Sequence, residues 1–229
     1  HLTVRTSKPI VLTGAMRPST ALAADGPANL RDAVAVAAHA TSGGRGVLLV
    51  MNEEIHSARD VAKVHATRLN AFASPNGALG RVLEGAPRWV RAVTRPHTTT
   101  SEFDINTLQG PDALPLVGIV TSHGNMRREI HDAWVALGAR AIVHAGFGGG
   151  TVPEYLKPVF RELCARGVTI VRASRVSAEP VIRNANFDDD GCGSVVADDH
   201  NAQHARLLAA LALARSQDVR ELQRVFDCY

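Results

Sequence analysis

The sequence predicts an α/β protein: two parallel-sheet α/β domains joined by a linker. Three observations predict it. Apolar runs alternate with a helix-like segment over residues 8–51, in the order strand, helix, buried strand. The same alternation resumes at Leu116 and continues to Val171. Between them, Arg95-Pro96-His97-Thr98-Thr99-Thr100-Ser101, Gly110-Pro111 and Pro115 form a polar, Pro/Gly-punctuated stretch, the composition of a linker. The expected division is 1–92, 93–115 and 116–229.

Each element follows from local chemistry. Ile10-Val11-Leu12 is a short apolar strand that turns at residues 13–20. Asp25-Gly26-Pro27 starts a helix, because proline suits a first turn whose amide has no partner, and Asp25 is a candidate cap. Leu30, Val34 and Ala37 or Ala38 share one face of it, and Ser42-Gly43-Gly44 ends it. Gly46-Val47-Leu48-Leu49-Val50-Met51 is a second buried strand, which makes a parallel pair the expectation. Residues 52–74 are polar and less regular, with room for a hairpin.

Beyond the linker, Leu116–Val120 is a strand, Glu129–Leu137 a helix and Ala141–His144 a strand that runs into the glycine-rich turn Gly146–Gly150. Pro153 starts a helix carrying Leu156, Phe160 and Leu163, and Val168–Val171 is a third strand. Helices over Asn201–Arg215 and Asp218–Phe226 close the chain. Sites in open parallel sheets lie beyond the carboxyl ends of strands. That selects Gly14–Thr20, Thr121–Asn125, Gly146–Thr151 and Ser174-Arg175.

Composition excludes several function classes. The arginines are scattered and no basic run is interleaved with aromatic rings, so no nucleic-acid partner is expected. No stretch of about 18 apolar residues exists, so no membrane helix is expected. Cys164, Cys192 and Cys228 lack CxxC or Cys/His metal spacing, and their odd number argues for separate thiols. The histidines show no ligand spacing such as HExxH, and His144, at a strand end, reads as a core residue. Asp188-Asp189-Asp190 and Asp198-Asp199 read as solvated loops. Gly146–Gly150 lacks the GxxxxGK[ST] pattern, so it is assigned no nucleotide. Only three of the 25 basic side chains are lysines: Lys8, Lys63 and Lys157. A lysine retained in so arginine-biased a chain points to a task that needs a removable proton.

The motifs Thr13-Gly14-Ala15-Met16-Arg17-Pro18-Ser19-Thr20, Ala24-Asp25-Gly26-Pro27, Gly46–Asn52 and Arg59-Asp60-Val61-Ala62-Lys63 occur in that order. Val117-Gly118-Ile119-Val120, His144-Ala145-Gly146-Phe147-Gly148 and Arg172-Ala173-Ser174-Arg175-Val176 come after them. Together they resemble the bacterial L-asparaginase family. The resemblance implies hydrolysis of L-asparagine, or of L-glutamine, to the acid and ammonia. It implies no metal or organic cofactor and a homo-oligomer, dimer or tetramer. It makes residues 116–229 the family's smaller C-terminal domain. It also implies a first domain truncated at its N-terminus, with roughly a hundred residues upstream of His1 carrying the nucleophilic threonine.

Lys63 takes the place of the family's catalytic lysine. A buried amine loses its proton readily and can activate a threonine hydroxyl, which arginine cannot do. Thr151 and Asn186 take the places of residues that contact the amino-acid substrate from a neighbouring subunit. A hydroxyl at Thr151 can still hydrogen-bond, and the residue equally suits a helix N-cap before Pro153. Asn186 replaces a usual glutamate and can only hydrogen-bond to the substrate ammonium. That departure keeps open an alternative, a non-catalytic oligomerising or amino-acid-binding remnant. The compartment stays open between cytoplasm and periplasm.

Overall fold

The computed structural model describes residues 1–110, 112–176 and 180–229; Pro111 of the expected linker lies outside them. The chain divides into two units, His1–Ile105 and Asn106–Tyr229.

The first unit is built on strands β1 (Ile10–Leu12), β2 (Val47–Met51), β3 (Glu54–Ser57), β6 (Gly80–Leu83) and β7 (Ala86–Trp89), in the sheet order β1-β2-β3-β6-β7. A separate pair, β4 (Ala62–Lys63) with β5 (Phe72–Ala73), is the hairpin for which residues 52–74 left room. Helix α1 (Gly26–Ala38) joins β1 to β2, and these two strands are parallel as expected. The remaining ladders are antiparallel, which corrects the expectation of a parallel sheet in this unit. The cause is local. Asn52 and Glu53 both have positive φ, 51° and 64°, as do Glu84 and Gly85 at 51° and 75°. Two consecutive left-handed residues make a tight turn that folds a strand directly back on its neighbour.

The core of this unit is Ala33 and Val36 of α1 against Leu48, Val50, Ile55, Leu79 and Val82. Leu30 and Val34 lie on the other side of α1, 58% and 59% exposed. The buried face is instead Asn29, Asp32, Ala33 and Val36. Residues 97–105 pack onto the start of the chain: the Thr98 amide donates to the His1 carbonyl (2.8 Å) and the Ile105 amide to the Thr3 carbonyl (3.0 Å).

The second unit has the parallel sheet the sequence predicts. Strands β8 (Val117–Thr121), β9 (Ala141–Gly146), β10 (Thr169–Ser174) and β11 (Val195–Asn201) pair in the order β11-β10-β9-β8, all parallel. Every residue of β9 and β10 is buried, as a sheet covered on both faces requires. On one face, Val120, Ile142 and Ile170 pack with Leu156 and with Phe160 and Leu163 of α3 (Lys157–Ala165). Helix α2 (Glu129–Ala136) lies on β8, where a Cβ at Gly118 would sit 2.4 Å from the Trp134 ring. Glycine there is the condition for that packing. A short helix, α4 (Asp189–Cys192), precedes β11. The alanine-rich α5 (Ala202–Leu213) packs against all four strands, and α6 (Val219–Cys228) lies on β11 and α5.

Candidate functional site

In the second unit, the turns beyond β9 and β10 are organised by one side chain. Arg172 of β10 is completely buried. Its Nε and Nη2 donate to Asp189 Oδ1 and Oδ2 at 2.7 and 2.6 Å, a two-pronged ion pair in which both side chains are fully buried. Two further hydrogens reach backbone: Nη1 donates to the Gly150 carbonyl (3.0 Å) and Nη2 to the Ile182 carbonyl (3.1 Å). Thus a single guanidinium holds the turn before Thr151 and the turn that leads to Asn186. Lysine lacks the planar fork that makes this possible.

Asp189 is satisfied in turn by the Ser194 hydroxyl (2.6 Å) and the Asn184 amide (2.8 Å). Burial opposes its ionisation, but Arg172, Ser194 and the Asn184 amide outweigh that and hold the carboxyl below its usual range. The expectation that residues 188–190 are all solvated is therefore wrong for Asp189. Asp188 accepts from the Gly191 amide and Asp190 pairs with Arg183, both at the surface. Asp198 and Asp199 belong to β11, not to a loop.

Thr151 is exposed and closes the glycine turn through paired backbone bonds with Phe147. It is not a helix cap: Pro153 precedes a single 3-10 turn, Glu154–Leu156, and α3 begins at Lys157. The turn needs its glycines, because a Cβ at Gly146 would lie 2.6 Å from the Gly150 carbonyl carbon. Asn186 is exposed in the turn beyond Ile182, and it borders a surface hollow with Lys157, Arg161 and Asn184. Arg175 lies over the Phe147 ring at 4.2 Å and donates to the Ser122 carbonyl (3.0 Å), so three of the predicted strand-end segments are tied together.

Beneath them, Ser122 Oγ and His144 Nε2 are 2.8 Å apart, and His144 Nδ1 is 3.2 Å from His131 Nε2. All three residues are buried. Burial, with help from His131 and Arg172, drives the His144 pKa down to about 3, so the ring is neutral. This is the core histidine expected from its place in the strand, and it packs edge-on against Phe160.

In the first unit, the turn after β1 is held by Asn29 and Asp25. Asn29 Nδ2 donates to the Gly14 carbonyl (2.9 Å), and its Oδ1 accepts from the Asn52 amide (2.9 Å) at the end of β2. The Asp25 carboxylate stands at the start of α1 without capping it. It accepts instead from the Met16 and Arg17 amides, each at 2.9 Å in its closer contact. Burial pushes the Asp25 pKa up, yet these amides hold it below the usual range.

Lys63 lies on β4, opposite Phe72, with its ammonium 6.0 Å from that ring centre. It is exposed, so the burial assumed for a proton-accepting lysine is not met by the residues of this chain. The neighbouring Asp60 pairs with Arg91 (3.3 Å), not with Lys63. The hydrogen bonds that link the Thr151 and Asn186 segments lie within the second unit, and Lys63 belongs to the first. Among the described residues there is no cluster of three metal-ligating side chains, and no helix is long and apolar enough to cross a membrane.

Comparison with known proteins matches this architecture. Residues 1–95 fit the family described as Asparaginase, N-terminal, and residues 116–226 fit the Glutaminase/Asparaginase C-terminal domain. The chain belongs to the asparaginase family. It is 48% identical over 230 residues to the glutaminase-asparaginase of Acinetobacter glutaminasificans, covering 100% of this chain and 69% of that protein. It is 47% identical over 226 residues to the glutaminase-asparaginase of Pseudomonas aeruginosa, covering 98% of this chain and 62% of that one. The crystal structure of a probable cytoplasmic L-asparaginase from Campylobacter jejuni matches with a TM-score of 0.94 at 38% identity, over 100% of this chain and 72% of that chain. The asparaginase family is one of amidohydrolases, which places the chain in an enzyme class.

Motif reasoning reached the family and the strand-end turns but missed Arg172, Asp189 and Asn29. The signal for Arg172 was present: a charged residue directly after the strand-like run Val168-Thr169-Ile170-Val171 requires a buried partner. Asn29 carried no comparable signal, being one polar position among several on α1.

Proposed function

We propose that this chain forms part of an amidohydrolase that converts L-asparagine, and in some measure L-glutamine, to the corresponding acid and ammonia. The observation that carries the reading is the match, over nearly all of this chain, to proteins named glutaminase-asparaginase at 48% and 47% identity. A threonine nucleophile attacks the side-chain amide carbon. The resulting oxyanion collapses with loss of ammonia, and water then hydrolyses the acyl-enzyme.

Lys63 moves the proton of that threonine. Its ammonium is not committed to Asp60, whose charge is taken by Arg91. The desolvation it needs comes from groups that close over β4 when the site is assembled. Thr151 and Asn186 offer an exposed hydroxyl and carboxamide to the amino-acid backbone of a substrate bound by a neighbouring copy, which makes the working form a homo-oligomer.

Ammonia release by the full-length protein, assayed with L-asparagine and L-glutamine, tests this directly. Lys63→Ala is expected to lower kcat/KM by about 10²–10⁴-fold. Because Lys63 is exposed, its stability cost stays within about 0.5 kcal/mol. Lys63→Arg keeps the charge without the removable proton and is expected not to restore turnover. Undiminished turnover in Lys63→Ala would remove Lys63 from the mechanism.

A further inference from the structure

We infer that Cys164 and Cys192 form a dithiol–disulfide exchange site in the second unit, with a small-molecule disulfide as its oxidant. The two cysteines are 28 residues apart in sequence, yet the Cys192 thiol donates to Cys164 Sγ at 3.1 Å. Cys164 sits near the end of α3 and Cys192 ends α4, and both pack against the same apolar cluster around Phe160 and Phe187. Reaching a bonded separation of ~2.05 Å needs the sulfurs to close by about 1 Å. Both residues are only partly buried. Cys164 also lines a groove with Arg140, Gly167, Val168, Thr169 and Gly193, from which a reagent can approach this residue. Cys228 lies on α6, where Arg224 is its neighbour (3.7 Å), and takes no part in the pair.

The geometry also divides the roles. The hydrogen bond from Cys192 favours the thiolate at Cys164 and lowers its pKa, against the opposing effect of burial. The same bond, with burial, raises the pKa of Cys192. Because Cys164, and not Cys192, also lines the groove, we assign Cys164 as the attacking thiolate and Cys192 as the resolving thiol. In the first step, the Cys164 thiolate attacks one sulfur of the reagent RSSR. The S–S bond breaks, one RS⁻ leaves, and Cys164 carries a mixed disulfide. In the second, Cys192 gives up its proton and attacks the Cys164 sulfur, expelling the second RS⁻. The protein loses two electrons and two protons, and the reagent is reduced to two thiols. Closure ties α4 to α3, and with it the end of the turn that carries Asn186.

The test is peptide mapping by mass spectrometry after the purified protein is incubated with hydroxyethyl disulfide, a small neutral reagent. The expected product is a Cys164–Cys192 linked peptide, lighter by two hydrogens than the reduced pair and returned to it by dithiothreitol. Cys192→Ser is expected to stop at a stable mixed disulfide on Cys164, and Cys164→Ser to leave Cys192 unmodified. The mapping of the unmutated protein stands whether or not either variant folds. An unmodified Cys164, a mixed disulfide that persists on it while Cys192 is present, or linkage to Cys228 would overturn the inference. Each of these outcomes is independent of amide hydrolysis.

Discussion

The two units hold their strand-end turns by the same device in different chemistry. In the first, the neutral carboxamide of Asn29 on α1 bridges the Gly14 carbonyl and the Asn52 amide. In the second, the cationic Arg172 on β10 bridges the Gly150 and Ile182 carbonyls, with Asp189 compensating its charge. The difference lies in what burial demands of each group. β10 lies inside a parallel sheet covered on both faces, so a charge there is cut off from water and must be paired completely. Asn29 is also buried but carries no charge, and three partners satisfy it. The Gly146–Gly150 turn has little apolar surface of its own to pack, so a side-chain to backbone bond from a regular element positions it instead.

Breaking the charged bridge should have the largest effect. Arg172→Met leaves Asp189 buried and uncompensated, and is expected to cost about 3–5 kcal/mol in chemical denaturation. Adding Asp189→Leu should restore part of this and not all, because the Gly150 carbonyl loses its donor and the Ile182 carbonyl keeps only the Ala185 amide (3.4 Å). A double variant no more stable than the single one would show that the pair is not what holds the turns.

The neutral bridge should be weaker. Asn29→Ala removes both backbone contacts at once and is expected to cost about 1–3 kcal/mol. A loss equal to that of Arg172→Met would erase the distinction drawn between the units.

The smallest effect near neutral pH concerns the histidines under the second sheet's turns. His144 has a folded pKa of about 3 against an ordinary 6.5, mainly through burial. The unfolded chain takes up a proton that the native state refuses, so stability falls as pH drops from about 6.5 toward about 3, by up to ~1.4 kcal/mol per pH unit for each such group. The Asp189 contribution has the opposite origin and is lost only as pH falls below the ordinary aspartate value of 3.8. Urea titrations from pH 7 to 5.5, above the ordinary glutamate value of 4.5, therefore isolate the histidines, and His144→Gln should flatten the slope. An unchanged slope would mean that another group takes up the proton.

Much of this fold was legible in the chain because the decisive information was local. The apolar runs of β8, β9 and β10 needed only a count of consecutive buried-type residues, and Leu156, Phe160 and Leu163 fall on the face that packs. The first unit was harder. Its antiparallel ladders depend on left-handed residues at Asn52, Glu53 and Glu84, and two of these are glutamates, which advertise no turn. On α1, the apolar pattern of Leu30 and Val34 pointed away from the face that is buried, because Asn29 must face the core to reach its two backbone partners. Among the site residues, Lys63 was named by motif, but its exposure could be known only from coordinates.

Sequence alone determined the family, the α/β alternation, the parallel second sheet and which turns stand at strand ends. These depend on residue order and spacing, which the chain states outright. Tertiary structure alone decided that Asp189 is buried on Arg172, that Asp60 answers Arg91 and leaves Lys63 aside, and that Cys192 meets Cys164. Each is a pairing between groups 17 to 31 residues apart in sequence. Whether a charge or thiol finds a partner at that separation is set by how the elements pack, and no local pattern encodes it.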